Sequence, residues 1–353
     1  MMLTSGIARA HLCHRPTPLE PMPALSRHLG GPQLWIKRDD CTGLAMGGNK
    51  VRQLEFYCGD ALARGADTLI TTGAVQSNHV RLTIAAARKL AMDCEVQLEQ
   101  RVAGQGAAYY DSGNVLLDKL MGARIHAFPS GEDEAGAELA MRGIADAVRA
   151  RGGKPYIVSL AQDHEPIGAL GYVDAAEELV EQARHLGLTI DAIVLCSGSG
   201  STHAGMLSGL RALGWTVPVH GLCARRDRVT QHARVLERCQ RVARLLGRPG
   251  LVGADDVLTD DRLLAPGYGL LSAPVVAAMG ALARLEAILL DPTYTAKAMA
   301  VLIRLVGDGA FAPDSNVVFL HTGGVPALFA YPDVVEEIHR QALAGPGEDR
   351  APR

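Results

Sequence analysis

Six lysines occur in the chain, and Lys50 stands where an amine can do covalent chemistry: it follows Gly47, Gly48 and Asn49 directly and opens the amphipathic run VRQLEF. A helix entrance presents free N–H groups that favour anions and disfavour an ammonium, so the pKa of this lysine is expected to fall. Lys89 and Lys119 lie inside helical segments, Lys154 in a Gly/Pro loop and Lys37 in a strand flanked by charge, and these four read as solvated charges. Lys297 opens a later helix and is the weaker candidate.

Three further stretches supply partners for such an amine. In CSGSGSTHAG, Gly198, Ser199, Gly200, Ser201 and Thr202 follow an apolar strand and enter a helix, which gives free N–H groups, hydroxyls and a helix dipole for a phosphate. The stretch lacks the GK[ST] ending of a P-loop and the third glycine of GxGxxG, so a nucleotide fold is the weaker reading. In GAVQSNHVR, Ser77, Asn78 and His79 stand at a helix start; they read either as a cap or as donors to a carboxylate, and the polar cluster from Gln76 to His79 exceeds what one cap requires. Tyr268 in GYG and Tyr294 in DPTYT sit in turns, and Thr322 in HTGG ends an apolar strand as a hydroxyl donor. A lysine, a phosphate cradle, a carboxylate-binding helix end and hydroxyl donors together fit pyridoxal 5'-phosphate, with Lys50 attaching the cofactor and the substrate carboxylate at the helix N-terminus.

These loops must be held by a scaffold, and the remaining sequence describes one. Short β-branched runs (LWIKRDD, DTLITTGA, CEVQLEQ, ARIHAFP, KPYIVSL, DAIVLCS, VPVHGLCAR, NVVFLH) alternate with Ala/Leu/Arg-rich helical segments, the α/β pattern of parallel sheets covered by helices. AAYYDSGNVLLDKLMG reads as one helix, and residues 229–246 as a long Arg-rich one. The expected division is a large domain of residues 1–53 and 164–345, a smaller inserted α/β domain of 54–163, and a disordered tail at 346–353. A cleft between two such domains is a usual place for a small-molecule site.

Composition narrows the class. A net charge of −3, with 48% apolar and only 4% aromatic residues, gives no electrostatic or stacking fit to nucleic acid or to anionic membrane. Seven scattered cysteines without metal spacing read as reduced thiols, and no long apolar run marks a signal peptide or a membrane span, so the cytoplasm is the expected compartment.

In this order, GGNKVRQLEF, GAVQSNHVR, SGSGSTHAG, APGYG, LDPTYTAKAM and HTGG followed by PALFAY resemble the D-cysteine desulfhydrase and 1-aminocyclopropane-1-carboxylate (ACC) deaminase family. The resemblance implies a fold type II pyridoxal-phosphate enzyme, tryptophan synthase β-like, with two open, twisted, mostly parallel sheets and helices on both faces, and fold-level analogy suggests a homodimer. It makes Lys50 the lysine that bonds the cofactor, Asn78 the contact to its 3-hydroxyl, Ser77 and His79 the substrate-carboxylate loop, residues 198–202 the phosphate loop, Tyr268 and Tyr294 the active-site tyrosines, and Thr322 the hydroxyl beside the pyridine nitrogen. Thr295 matches the desulfhydrase-like members, where ACC deaminases carry glutamate, and is expected to contact substrate. The implied reaction is α,β-elimination of a β-substituted alanine, first D-cysteine to pyruvate, ammonia and hydrogen sulfide, then L-cysteate with loss of sulfite, then ACC deamination. Two segments depart from the family: LAQDHEP, where Asp163, His164 and Glu165 either contact the leaving group or form a solvated loop, and LLSAP after GYG. From a different class, a dinucleotide-dependent oxidoreductase needs a GxGxxG with a downstream acid, which the sequence lacks.

Overall fold

The computed structural model describes residues 3–343; the tail expected at 346–353 and the last residues of the expected large domain lie outside them. Its strands are β1 (Leu19–Pro21), β2 (Gln33–Arg38), β3 (Thr68–Ala74), β4 (Asp93–Glu99), β5 (Arg124–Phe128), β6 (Pro155–Val158), β7 (Ala192–Ser197), β8 (Val219–Cys223), β9 (Leu258–Asp260) and β10 (Asn316–His321). The helices are α1 (Pro23–Leu29), α2 (Lys50–Ala63), α3 (Asn78–Lys89), α4 (Ala107–Asp111), α5 (Gly113–Leu120), α6 (Glu134–Ala150), α7 (Leu170–Leu186), α8 (Ser201–Ala212), α9 (Arg228–Leu245), α10 (Ala273–Glu286), α11 (Thr295–Gly307) and α12 (Pro332–Leu343).

The strands form a six-stranded sheet ordered β1-β2-β10-β7-β8-β9 and a four-stranded sheet ordered β5-β4-β3-β6. Every pairing is parallel except β1 with β2. Alternation along the strands shows why helices cover both faces of the larger sheet. Ala192, Val194, Val317 and Phe319 pack with α1, α10 and α11, whereas Ile193, Leu195, Val318 and Leu320 pack with α7, α8 and α9. The smaller sheet does the same with neighbouring residues: Leu69 faces α2 and α3, and Ile70 faces Met141, Ala145 and Val148 of α6. Each buried Val, Leu, Ile, Met or Phe side chain among these contributes about 1.5–3 kcal/mol, and each alanine less.

The structure departs from the sequence reading in a few elements. The helix expected over 107–122 is two, because Gly113 takes φ 60° and the next N–H, of Asn114, donates to Gln76 Oε1 at 2.8 Å. The expected boundary at residue 53 falls inside α2, a continuous helix that packs on both α3 and α7. Short β1 and β9 and helix α1 carry no strong periodic signal and were not expected; the C-terminal α12 was not expected either, although its apolar residues keep a helical period. Lys37 is a correction: it is fully buried, donating to Thr17 O (2.7 Å), Gln182 Oε1 (2.6 Å) and Glu178, where a solvated charge was expected.

What the scaffold positions is a set of loops at the C-terminal ends of parallel strands. The turns after β2, β3, β7 and β10 all open on one crevice, the usual ligand position in open α/β sheets.

Candidate active site

Lys50 is the first residue of α2 and is set by two backbones in contact. Gly47 has φ 67°, and a Cβ there would lie 2.0 Å from Asp40 O; a Cβ on Gly323 would lie 2.6 Å from Gly48 Cα. The Asn49 N–H donates to Thr322 O at 3.0 Å, so the turn after β10 fixes the turn that carries the lysine. The only side-chain partner of Lys50 Nζ among the described residues is Gln53 Oε1, at a weak 3.4 Å. Removal from water, with a smaller push from Arg238 and an opposing effect of Cys196, lowers its pKa to about 8. An amine so placed is available to react.

Four of the five residues expected to hold a phosphate line the same cavity, all but Ser201. Gly198, Ser199, Gly200 and Thr202 face it, with Gly200 at φ 90° just before α8. The first N–H groups of α8 have no intrahelical acceptor, as at any helix start. Thr202 Oγ1 accepts from Asn49 Nδ2 and from Gln53 Nε2, both at 2.9 Å, which leaves its own O–H free to donate. Ser201 Oγ is buried without a partner. Orphaned hydroxyls beside free N–H groups and a glycine-lined wall fit a phosphate.

At the end of β3, Ser77 caps α3 by accepting from Val80 N at 3.2 Å, and keeps its hydroxyl proton for another acceptor. Asn78 accepts at Oδ1 from Asn114 Nδ2 at 2.9 Å, which leaves its own amide N–H groups as the free donors. His79 Nε2 is 2.9 Å from Thr71 Oγ1, whose proton goes to Val158 O; Nε2 therefore carries the ring proton and Nδ1 is a bare, buried acceptor without a partner. Burial, with Lys50 adding, depresses the His79 pKa to about 3, so the ring is neutral. Gln76 turns away, donating to Tyr109 O and Ser112 O, and does not line the cavity.

Tyr268 and Tyr294 face the cavity with their hydroxyls 2.7 Å apart and their rings edge to face at 5.8 Å. One phenol donates to the other, so one proton remains for a third group. Burial raises both pKa values, which keeps the pair protonated. Lys297, the weaker candidate amine, is buried and donates to Leu264 O and Gly267 O; it holds the turn that carries Tyr268. Thr322 lines the cavity beside Gly323.

Thr295 is a correction to the expectation of substrate contact. Its hydroxyl is 2.8 Å from Asp291 Oδ1 and accepts from Asp291 N at 2.7 Å, and it does not line the cavity. The physical reason is helix capping: the Asp291 carboxylate accepts from the N–H groups of Thr293, Tyr294 and Thr295, and Thr295 completes that cap. Asp163, His164, Glu165 and the stretch 270–274 do not line the cavity either; His164 Nε2 lies 3.0 Å from Glu138 Oε1.

Sequence reading missed the charged outer end of the cavity, formed by Glu99, Arg101, Glu134, Glu138, Arg225, Arg226 and Arg234. A signal was present in part: Arg101 and the Arg225-Arg226 pair follow β4 and β8 directly, at the strand ends where ligands bind. Arg101 stacks over the Tyr268 ring at 5.7 Å and pairs with Glu99 at 2.8 Å.

Comparison with known proteins agrees with this geometry. The family model for pyridoxal-phosphate dependent enzymes matches residues 11–323. An ACC deaminase of Methylobacterium nodulans is 41% identical over 325 residues, 92% of this chain and 96% of that protein. A D-cysteine desulfhydrase of Salmonella paratyphi C is also 41% identical, over 323 residues, with the same coverage of 92% and 96%. Among solved structures, an ACC deaminase homologue superposes with a TM-score of 0.85 at 34% identity, covering 95% of this chain and 98% of its own. A cleft at the strand ends with a lysine of lowered pKa, a phosphate cradle and a neutral donor set is what such an enzyme requires, and the chain belongs to the family of pyridoxal-phosphate dependent enzymes, among its D-cysteine desulfhydrase and ACC deaminase members.

Proposed function

We propose that this lyase eliminates the β-substituent of a β-substituted alanine, with D-cysteine as the first substrate: D-cysteine and water give pyruvate, ammonia and hydrogen sulfide. When bound, the cofactor supplies an electron sink for the carbanion left at Cα. Lys50 attaches it and, once released, takes the Cα proton; its lowered pKa keeps a usable neutral fraction near pH 8. The free Ser77 hydroxyl and the N-terminus of α3 hold the substrate carboxylate. Asn78, through its free amide, and the neutral Thr322 hydroxyl would hold the cofactor ring. The spare proton of the Tyr268–Tyr294 pair serves the departing sulfur, which leaves as a weakly basic anion.

The observation that carries the choice of substrate is position 295. The resemblance places a glutamate there in cyclopropane-opening enzymes, and here a threonine is committed to the Asp291 cap, leaving no carboxyl after Tyr294 to serve ring opening. ACC deamination is the second reading, supported by relatives of equal identity. Purified enzyme given D-cysteine, L-cysteine, L-cysteate and ACC in parallel decides it. Sulfide with pyruvate from D-cysteine is expected; 2-oxobutyrate from ACC at a comparable kcat/KM, or sulfite from L-cysteate, would overturn the choice.

A further inference from the structure

The Arg-rich helix α9 and the arginine that precedes it grip the glycine loop by its carbonyls, and Arg226 and Arg234 line the cavity as well. Arg234 Nε donates to Ser199 O at 3.1 Å, and Arg226 Nη1 reaches Gly198 O at 3.4 Å. Gly200 packs against Arg238, whose Cδ lies 3.2 Å from where a Cβ on that glycine would stand. Arg238 is 1% exposed, donates only to the carbonyls of Leu160 (2.7 Å) and Ala161 (3.3 Å), and leaves Nε buried without a partner.

The charge on this face is only partly balanced by the protein. Glu237 acts on Arg238 only through space, being paired with Arg241, and Glu134 is the carboxylate that meets the other two, touching Arg226 and lying 3.9 Å from Arg234 while shared with Arg225 at 2.9 Å. Its side chain is 42% exposed, so water weakens its hold. Arg238 forms no ion pair among the described residues. Buried guanidinium groups without counter-ions are costly, and burial lowers the pKa of Arg226 and Arg238 and brings that of Arg234 to about 9. Neither feature is needed for a strand-to-helix turn.

We propose that Arg226, Arg234 and Arg238 form the positive half of the cofactor-phosphate site. Arg226 and Arg234 hold the carbonyls of Gly198 and Ser199, Arg238 packs against Gly200, and together they set a field that a dianion in the cradle neutralises, with Glu134 as its weak internal competitor. They are positioning residues, since they act through the loop that they hold. This rests on reading residues 198–202 as the phosphate loop.

The test compares pyridoxal phosphate with pyridoxal, which carries the same aldehyde and no phosphate. Both are titrated into cofactor-free protein prepared from the holoenzyme, and attachment to Lys50 is followed by absorbance. Wild type is expected to bind the phosphorylated form far more tightly, and inorganic phosphate to compete with it alone. Arg226→Gln and Arg234→Gln should each weaken pyridoxal phosphate on the order of tenfold and leave pyridoxal unchanged. Glu134→Gln, at an exposed position, should move the other way and tighten the phosphorylated form severalfold. Variants that keep the wild-type ratio between the two ligands would overturn the proposal while leaving the loop assignment intact. A wild type that binds both equally would instead overturn the loop assignment. A fall in pyridoxal affinity equal to that for pyridoxal phosphate would mark a merely structural role and also overturn the proposal.

Discussion

Single side chains decide whether the amine reacts. Because Lys50 has a pKa of about 8 in the cofactor-free site, its neutral fraction rises as pH rises through that value. The rate of cofactor addition to stripped protein should therefore climb between about pH 7 and 9 and then level, and stopped-flow absorbance checks it. A rate already level at pH 7 would contradict the assignment. Lys50→Ala should lose the cofactor's visible absorbance and cut turnover by at least about 10²-fold, with an unchanged far-UV spectrum. At Thr295 the expectation is about stability: Thr295→Val removes a cap hydroxyl and should cost about 1 kcal/mol by denaturant melting, with the KM for D-cysteine unmoved. Thr295→Glu would set a second carboxyl against buried Asp291, whose own pKa is raised to about 6 by burial, and should lower stability further without conferring ring opening.

Elements position these groups through a few close approaches. Thr202 Oγ1 is the common acceptor for the side chains of Asn49 and Gln53, so it ties the start of α8 to the start of α2. Thr202→Val leaves two amides unpaired and should cost about 2–3 kcal/mol, with Thr202→Ser restoring most of it; equal stability of the two variants would refute the tie. Such junctions were legible in the sequence. Gly-Gly-Asn-Lys, Gln-Ser-Asn-His and Ser-Gly-Ser-Gly-Ser each interrupt a β-branched run before a helix, and local turn chemistry is what short-range reading detects. Other features were not legible because particular contacts, rather than the local pattern, decide them. The break between α4 and α5 depends on Gln76, which captures the Asn114 N–H. Thr295 carries the same side chain whether it faces a substrate or a cap, and only Asp291 settles which. Three-residue β1 and β9 exist by pairing with β2 and β8, and carry no period of their own.

On the scale of the whole molecule, the site is a meeting of two sheets, and the surface nearby carries a second message. Leu116 (54% exposed) and Leu120 (79%) on α5 lie beside the 3-10 turn over 325–330, where Phe329 is 62% exposed. Pairing of two copies, as fold-level analogy suggests, is expected to cover these exposed side chains. Light scattering should give the mass of a dimer, and Leu120→Glu with Phe329→Glu should give a monomer. A wild-type monomer at micromolar concentration would refute this expectation.

The hydrogen bond from Asn49 N to Thr322 O has one more consequence, and it concerns the order of events during synthesis. The lysine emerges from the ribosome well before Thr322, which completes the turn that fixes it, and the link of Asn49 to Thr202 already spans 153 positions. Contacts so distant in sequence form late. A nascent chain lacking Gly323 should be unable to retain the cofactor, and in refolding the visible absorbance should return with the slowest phase rather than with the early recovery of helix signal. Cofactor uptake would then serve as a readout of finished folding.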